Sequence, residues 1–344
     1  RVIIDEPRYQ ETVYNAGASS AQAWKSATAG DGFFVAVGNG TNESLYSFTG
    51  DNWLTTTLPQ SADWQSVTFG DGRFVAVAKG IIAAYSEDIE NNGWTSMGGL
   101  PTNIPWNDVT FGNGRFMAVG GYDDTPSTNN IFATSSDGIN WQSVNPPTAQ
   151  EWTSVAYSPL RQTWVAVSNG NVAAYSTDDG QNWTDVVLPN SGLWTSIVWG
   201  YDRFVAVQSR TDSSPCAVAV SFDGVTWYES TIETGEFAEI GYASGLFVTF
   251  AKGTDIVAFS EDGFNWRSKI VSDIGDWTGV AGNGSGTWVS LSESETKTVK
   301  VEHGAQAKAR VTVGTGRIGS VLLFNVGSHY KELPTIEIFD PEST

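Results

Sequence analysis

The chain has 344 residues, 18 Lys+Arg against 38 Asp+Glu and a formal net charge of −20, with 40 % hydrophobic and only 16 % charged residues. That balance is too apolar for intrinsic disorder and lacks the cationic excess of a nucleic-acid-binding face. Its apolar runs reach about six residues, against the roughly twenty of a membrane-spanning helix, so neither nucleic acid nor membrane insertion is expected. A single cysteine, Cys216, excludes an intrachain disulfide. With only His303 and His329 beside it, no zinc site of the usual kind is expected, and no metal or cofactor is called for.

Residues 1–23 come first. They begin with Arg1 rather than Met and lack the charged-then-apolar start of a secretory signal, which reads as a processed piece or a missing start. Within them, residues 11–16 form a short alternating stretch that can pair with a strand elsewhere.

From Trp24 onward the chain repeats. Trp24, Trp64, Trp106, Trp152, Trp194 and Trp277 open similar units, with Phe237 standing in for one, at spacings of 40 to 46 residues. Each unit reads Trp-x-Ser/Asp-Val-x-x-Gly, then Gly-x-Phe-Val-Ala-Val, then Ala-x-Ser-x-Asp-Gly-x-x-Trp. In the second unit, residues 64–69 alternate as a first strand. Gly70-Asp71-Gly72 supplies a tight turn, because such residues tolerate positive φ. Residues 73–78 run continuously apolar, as a strand buried on both faces does. Residues 81–86 are a third strand, and a fourth begins near Trp94. Nothing has helical period.

A unit of four short strands repeated every ~40 residues is a β-propeller blade, whose apolar faces are buried only by neighbouring blades. The repeated Trp and Phe therefore read as inter-blade core. The first half of the unit occurs seven times, so the fold expected over 24–302 is all-β, a seven-bladed propeller, with six blades as the alternative. The last blade would be finished by residues 297–302, by the N-terminal stretch, or by both.

The unit's second half resembles the Asp-box of sialidase-type propellers, Ser-x-Asp-x-Gly-x-x-Trp. Ser176-Thr177-Asp178-Asp179-Gly180-Gln181-Asn182-Trp183 matches in full, and shorter versions begin at Ser135, Ser221 and Ser260. Asp137, Asp178, Asp223 and Asp262 are read as structural, accepting backbone N–H bonds across a turn. One carboxylate per box is far from the six to eight oxygens of a calcium site. The arginine motif of sialidases is missing, since Arg73, Arg115 and Arg203 share one repeated slot. No catalytic constellation stands out, and no enzyme is expected.

Loops between the second and third strands vary in length: 38–44, 120–130 and 208–216 are long, whereas the second unit has almost none. Variable loops on a fixed scaffold are where recognition is usually placed. Tyr122, Asp123, Asp124, Arg210 and Asp212 are the candidate contacts.

After residue 302 the composition changes. Gly304, Ala307, Ala309, Val311, Gly316, Ile318, Val321, Gly327, Ser328, Tyr330, Pro334, Ile336 and Ile338 fall in a pattern of three strands joined by turns. Residues 303–344 resemble a small β module common in tailed-bacteriophage virion proteins and related modules of bacterial surface proteins. The resemblance implies a tail, fibre or baseplate component located in the virion. Its partners would be other virion proteins, copies of itself as a homo-oligomer, and a host-surface glycan or protein. An extracellular or cell-surface glycan-binding propeller is the alternative, and a glycoside hydrolase the second.

Overall fold

A computed structural model describes residues 2–4, 9–15, 23–121, 131–212, 214–233, 235–294, 297–303, 308–314, 317–325 and 336–338. From Tyr9 to His303 the described strands pair antiparallel in seven successive groups of four, the blades. Blade 1 runs Ala23–Gly30, Phe33–Asn39, Thr41–Ser47 and Leu54–Ala62. Blade 2 runs Trp64–Gly70, Arg73–Gly80, Ala83–Ser86 and Thr95–Ser96. Blade 3 runs Ile104–Gly112, Arg115–Gly120, Phe132–Ser135 and Gln142–Val144.

Blades 4 and 5 share long strands. Thr163–Ser176 folds back on itself to supply two strands beside Trp152–Ser158, and Thr184–Gly200 ends blade 4 and opens blade 5. Blade 5 continues through Arg203–Ser209, Cys216–Ser221 and Trp227–Ile232. Blade 6 is Glu236–Ala243, Leu246–Lys252, Thr254–Ser260 and Arg267–Gly275. Blade 7 is Trp277–Gly282, Thr287–Ser292 and Lys297–His303, with the N-terminal Tyr9–Asn15 as its outer strand, Tyr9 opposite His303 and Asn15 opposite Lys297.

Burial follows the sequence pattern. Residues 74–78 of the second strand are at most 2 % exposed, and the Trp, or in blade 6 Phe237, that opens each unit is at most 1 % exposed. One apolar cluster fills each gap between neighbouring blades. The cluster that closes the ring joins Trp24, Phe34, Leu45 and Trp53 of blade 1 to Val289 and Leu291 of blade 7. Burying such side chains is worth roughly 1.5–3 kcal/mol each, a gain only the assembled ring collects.

Two polar rings lace the innermost strands. At the Ser/Asp position, the side-chain oxygen of one blade accepts the backbone N–H of the next. Val67 N donates to Ser26 Oγ (3.4 Å), Val109 N to Ser66 Oγ (3.2 Å), Val155 N to Asp108 Oδ2 (2.9 Å), Ile197 N to Ser154 Oγ (3.2 Å) and Ile240 N to Ser196 Oγ (3.2 Å). In blade 7 the position is Gly279, where a Cβ would lie 2.8 Å from Ala27 N and has no room. The longer Glu239 reaches across that gap. It accepts from Val280 N (2.8 Å) on one side and from Ser26 Oγ (3.4 Å) and Ala27 N on the other. One residue earlier, in blades 3, 4, 5 and 7, Asn107, Thr153, Thr195 and Thr278 donate to the carbonyls of Trp152, Trp194, Phe237 and Trp24 on the next blade, at 2.5–2.7 Å.

Three local expectations change. The loop expected over 38–44 is a turn through Gly40 alone, whose φ of +67° lets Phe33–Asn39 run directly into Thr41–Ser47. The third strand of blade 2 starts at Ala83 rather than at 81, because residues 81–82 make the turn. In the C-terminal segment, Lys308–Gly314 pairs with Arg317–Asn325, but Ile336–Ile338 pairs with Val2–Ile4. The 1–23 and 303–344 segments are therefore joined to each other by a strand pair, which no reading of either alone would give.

Candidate recognition surface

The direction of the strands sorts the loops. Turns between first and second strands, and hairpins between third and fourth, lie on one face; the second-to-third loops and the blade-to-blade links lie on the other.

On the second-to-third face, Arg210 and Asp212 come together. Arg210 Nε and Nη2 donate to Asp212 Oδ1 (3.1 Å) and Oδ2 (2.8 Å), and Ser214 N donates to Oδ1 (3.0 Å). Hydrogen bonds from Arg210 first, then from Ser214, hold the Asp212 carboxyl at about 2. The exposed pair is thus largely neutralised within itself. Tyr122, Asp123 and Asp124 lie outside the described residues. Nearer the axis, Lys25 and Lys252 both ion-pair with Glu293.

The hairpin face carries Asp137, Asp178, Asp223 and Asp262, one in each of four blades. Asp262 Oδ1 accepts from Phe264 N (2.9 Å), Asn265 N (2.7 Å) and Ser260 Oγ (3.1 Å). Asp137 does the same with Ile139 N, Asn140 N and Ser135 Oγ, and Asp223 with Val225 N, Thr226 N and Ser221 Oγ. Asp178 takes Gln181 N, Asn182 N and Ser176 Oγ. The Asn140 N–H and its companions hold Asp137 well below the usual carboxylate range. Partial burial pushes the other three up, but their hydrogen bonds outweigh it, leaving Asp262 at about 2 and Asp178 and Asp223 lowered. These carboxylates are fully engaged within their own hairpins. Behind them, Trp53, Trp183 and Trp266 each donate the indole N–H to the hairpin glycine carbonyl, at 2.9–3.1 Å.

The arginine slot after the first turn staples three hairpins from the neighbouring blade. Arg73 Nη1 donates to Asp137 O and Arg203 Nη1 to Asp262 O, both at 2.7 Å, and Arg115 pairs with Asp179. Around Arg203 this staple acquires an aromatic shell. Its guanidinium carbon lies 5.0 Å from the Tyr201 and Phe222 ring centroids and 5.9 Å from that of Phe264, and Phe222 packs edge-on to Tyr228 at 6.1 Å. Tyr201 is 56 %, Tyr228 48 % and Phe222 39 % exposed. Tyr201 also holds φ at +45°, where other blades place Asp31, Asp71, Asn113 or Ser244. A bulky residue in the left-handed region is strained, and such strain clusters at functional positions. Exposed rings gathered around a cation form an amphipathic platform of the kind that takes sugar faces or protein side chains.

Sequence reasoning placed recognition on the opposite face and missed this platform. The available signal was Tyr201, an aromatic in a turn slot that is otherwise small and polar. Inside the ring, Asp108 and Glu239 are half-buried yet surrounded by protein. Burial pushes both carboxyls up, Glu239 strongly, against the backbone and serine hydrogen bonds that pull them down. Among the described residues no three His, Cys, Asp or Glu side chains gather closely enough to hold a metal ion.

Fold and surface together define a β-propeller with polar lacing inside and an aromatic platform outside. No family model matches the chain, and a search of the curated proteins finds no match. Solved structures do match. YCF48 bound to a D1 peptide is 14 % identical at a TM-score of 0.63, over 87 % of this chain and 96 % of that one. Virginiamycin B lyase from Staphylococcus aureus is 15 % identical at 0.71, over 86 % and 99 %. The Cps50 (Swd1) propeller domain of Myceliophteria thermophila is 6 % identical at 0.62, over 87 % and 99 %. At such identities the likeness is one of fold. A lyase and a peptide-bound protein share it, so function must be argued from the site.

Proposed function

We propose that the chain is a non-enzymatic virion protein of a tailed phage, a tail, fibre or baseplate component that uses its propeller for assembly and host-surface recognition. The observation that carries the recognition role is the exposed platform of Tyr201, Phe222 and Tyr228 around Arg203. The virion assignment draws on the likeness of residues 303–344 to phage β modules. The hairpin aspartates resemble Asp-boxes both in spacing and in how they are bonded. The inward carboxylates Asp108 and Glu239 are occupied in joining blades, which favours a scaffold over a hydrolase pair.

Quantitative mass spectrometry of purified particles is expected to find the chain at fixed stoichiometry; its absence would reject the virion role. Host-cell adsorption is expected to fall at least tenfold in Tyr201→Ala/Phe222→Ala with the particle count unchanged. The same platform also fits the second reading, a secreted or surface propeller that binds glycan, since ring faces stack on sugar C–H groups. Binding on a glycan array by a protein absent from particles would select that reading.

A further inference from the structure

The hairpin of blade 4 is one residue longer than those that begin at Ser135, Ser221 and Ser260, and the extra residue is Asp179. It holds φ at +63°, a conformation that aspartate tolerates better than most residues. Its Oδ1 accepts from Asn113 Nδ2 (3.1 Å) and its Oδ2 from Arg115 Nε, both on blade 3. That contact changes what the arginine does. Arg73 and Arg203 commit Nη1 to a hairpin carbonyl, at 2.7 Å in both. Arg115 is held by Nε instead, and among the described residues neither of its Nη groups has a protein partner.

Arg115 borders a solvent-open groove of about 570 Å³ between the fourth strand of blade 3 and the blade 4 hairpin. That size lies within the roughly 300–1,000 Å³ of small-ligand sites. Gln142 and Asn145 line one wall and Gln181 the other. All three are exposed, and none of their side-chain amides is hydrogen-bonded to a described residue. A carboxamide offers donors and an acceptor side by side, and the guanidinium end offers a fork of donors. Trp183 also borders the groove but is 8 % exposed, so recognition here rests on hydrogen bonds rather than on ring stacking.

We propose that this groove is a binding site for an uncharged sugar, whose hydroxyls pair with the Gln142, Asn145 and Gln181 amides and with the Nη groups of Arg115. A hydroxyl donates and accepts at once, as a carboxamide does, and vicinal hydroxyl oxygens match the paired Nη donors. Charge selects against acidic ligands, because Asp178 and Asp179 stand on the same hairpin against the single Arg115, in a chain of net charge −20. Neither carboxylate is open to a cation: Asp178 is bonded within its own hairpin, and Asp179 to Asn113 and Arg115. The groove belongs to a different pair of blades from the Arg203 platform. The inference depends neither on the role of that platform nor on where the protein resides.

The test titrates the full chain with methyl α-D-glucoside, methyl β-D-galactoside and N-acetyl-D-glucosamine, read by saturation-transfer NMR, with glucuronate and galacturonate as charged counterparts. Wild type is expected to bind one or more of the neutral sugars, and both uronates at least tenfold more weakly. Gln142→Ala/Gln181→Ala removes two amides that no protein group needs, so the melting temperature is expected to hold while binding weakens at least tenfold. Arg115→Lys keeps the charge but loses the fork, and is expected to weaken the same sugar severalfold. Tyr201→Ala/Phe222→Ala is expected to leave that binding unchanged. Silence from all three neutral sugars overturns the proposal, as does a uronate that binds as tightly as they do. So does a signal that survives both the amide and the Arg115→Lys variants, or one lost with the platform rings, because the sugar would then sit elsewhere.

Discussion

Replacing Asp262 by Ala strips four donors, Phe264 N, Asn265 N, Asn265 Nδ2 and Ser260 Oγ, of their acceptor in one step. Each net hydrogen bond is worth about 1 kcal/mol, and some donors regain water. The expected loss is about 1–2 kcal/mol by chemical denaturation, with Asp262→Asn nearer the lower end. The hairpin carboxylates and the ring carboxylates respond oppositely to pH. Asp178, Asp223 and Asp262 are more acidic when folded, so their contribution is full above 3.8 and is lost as pH falls through their lowered values, which for Asp262 is about 2. Asp108 and Glu239 are less acidic when folded, so the native state holds their protons more tightly. Their contribution is full below 3.8 and 4.5 and declines as pH rises through their raised values. Calorimetry across pH is therefore expected to show the melting temperature climbing as pH falls through the raised values of Asp108 and Glu239 toward 4.5, and dropping below 3.8. Glu239→Gln is expected to flatten the upper limb only. At this scale the hairpin aspartates could be picked out by motif spacing. The ring position could not be understood from spacing, although Ser/Asp stood in the consensus, because the group it serves sits about 40 residues on in the next blade.

Strands were legible where burial is symmetric. The apolar second strands need both faces covered, and residues 74–78 are covered. Connections were less legible, because Gly40 alone turns a seven-residue stretch that composition describes as a loop. The partner of Ile336–Ile338 was invisible because pairing across more than 330 residues leaves no local pattern. Tyr9–Asn15 matters most among the elements. Deleting residues 1–15 bares Lys297–His303 as an outer strand with unpaired N–H and C=O groups, a template for self-association. The melting midpoint is expected to fall by about 5 °C or more, with oligomers appearing in size-exclusion chromatography. An unchanged midpoint would mean that the outer strand contributes nothing.

Across the whole molecule, the closed ring explains how so acidic a chain stays compact. Self-repulsion from 20 excess negative charges opposes folding and is weakened by salt. Raising ionic strength from about 10 to 150 mM, where the Debye length shrinks from roughly 30 to 8 Å, is expected to stabilise the protein in thermal melts. The fold was readable from the repeat because each unit is incomplete alone. The platform around Arg203 was not, because its rings come from three separate stretches, at 201, 222–228 and 264, that only the ring assembles.

The antiparallel closure of blade 7 has a mechanical consequence. Tyr9 and His303 are opposite one another, so the continuations of both strands leave from the same end. Tension between the two termini peels that seam open one bond at a time, whereas a tug on a single terminus, resisted by cargo held elsewhere on the disc, loads all seven residues at once. Optical-trap stretching from both ends should give a low-force opening of this blade before any other, and a molecule tethered by one end alone should keep its circle shut under far greater strain.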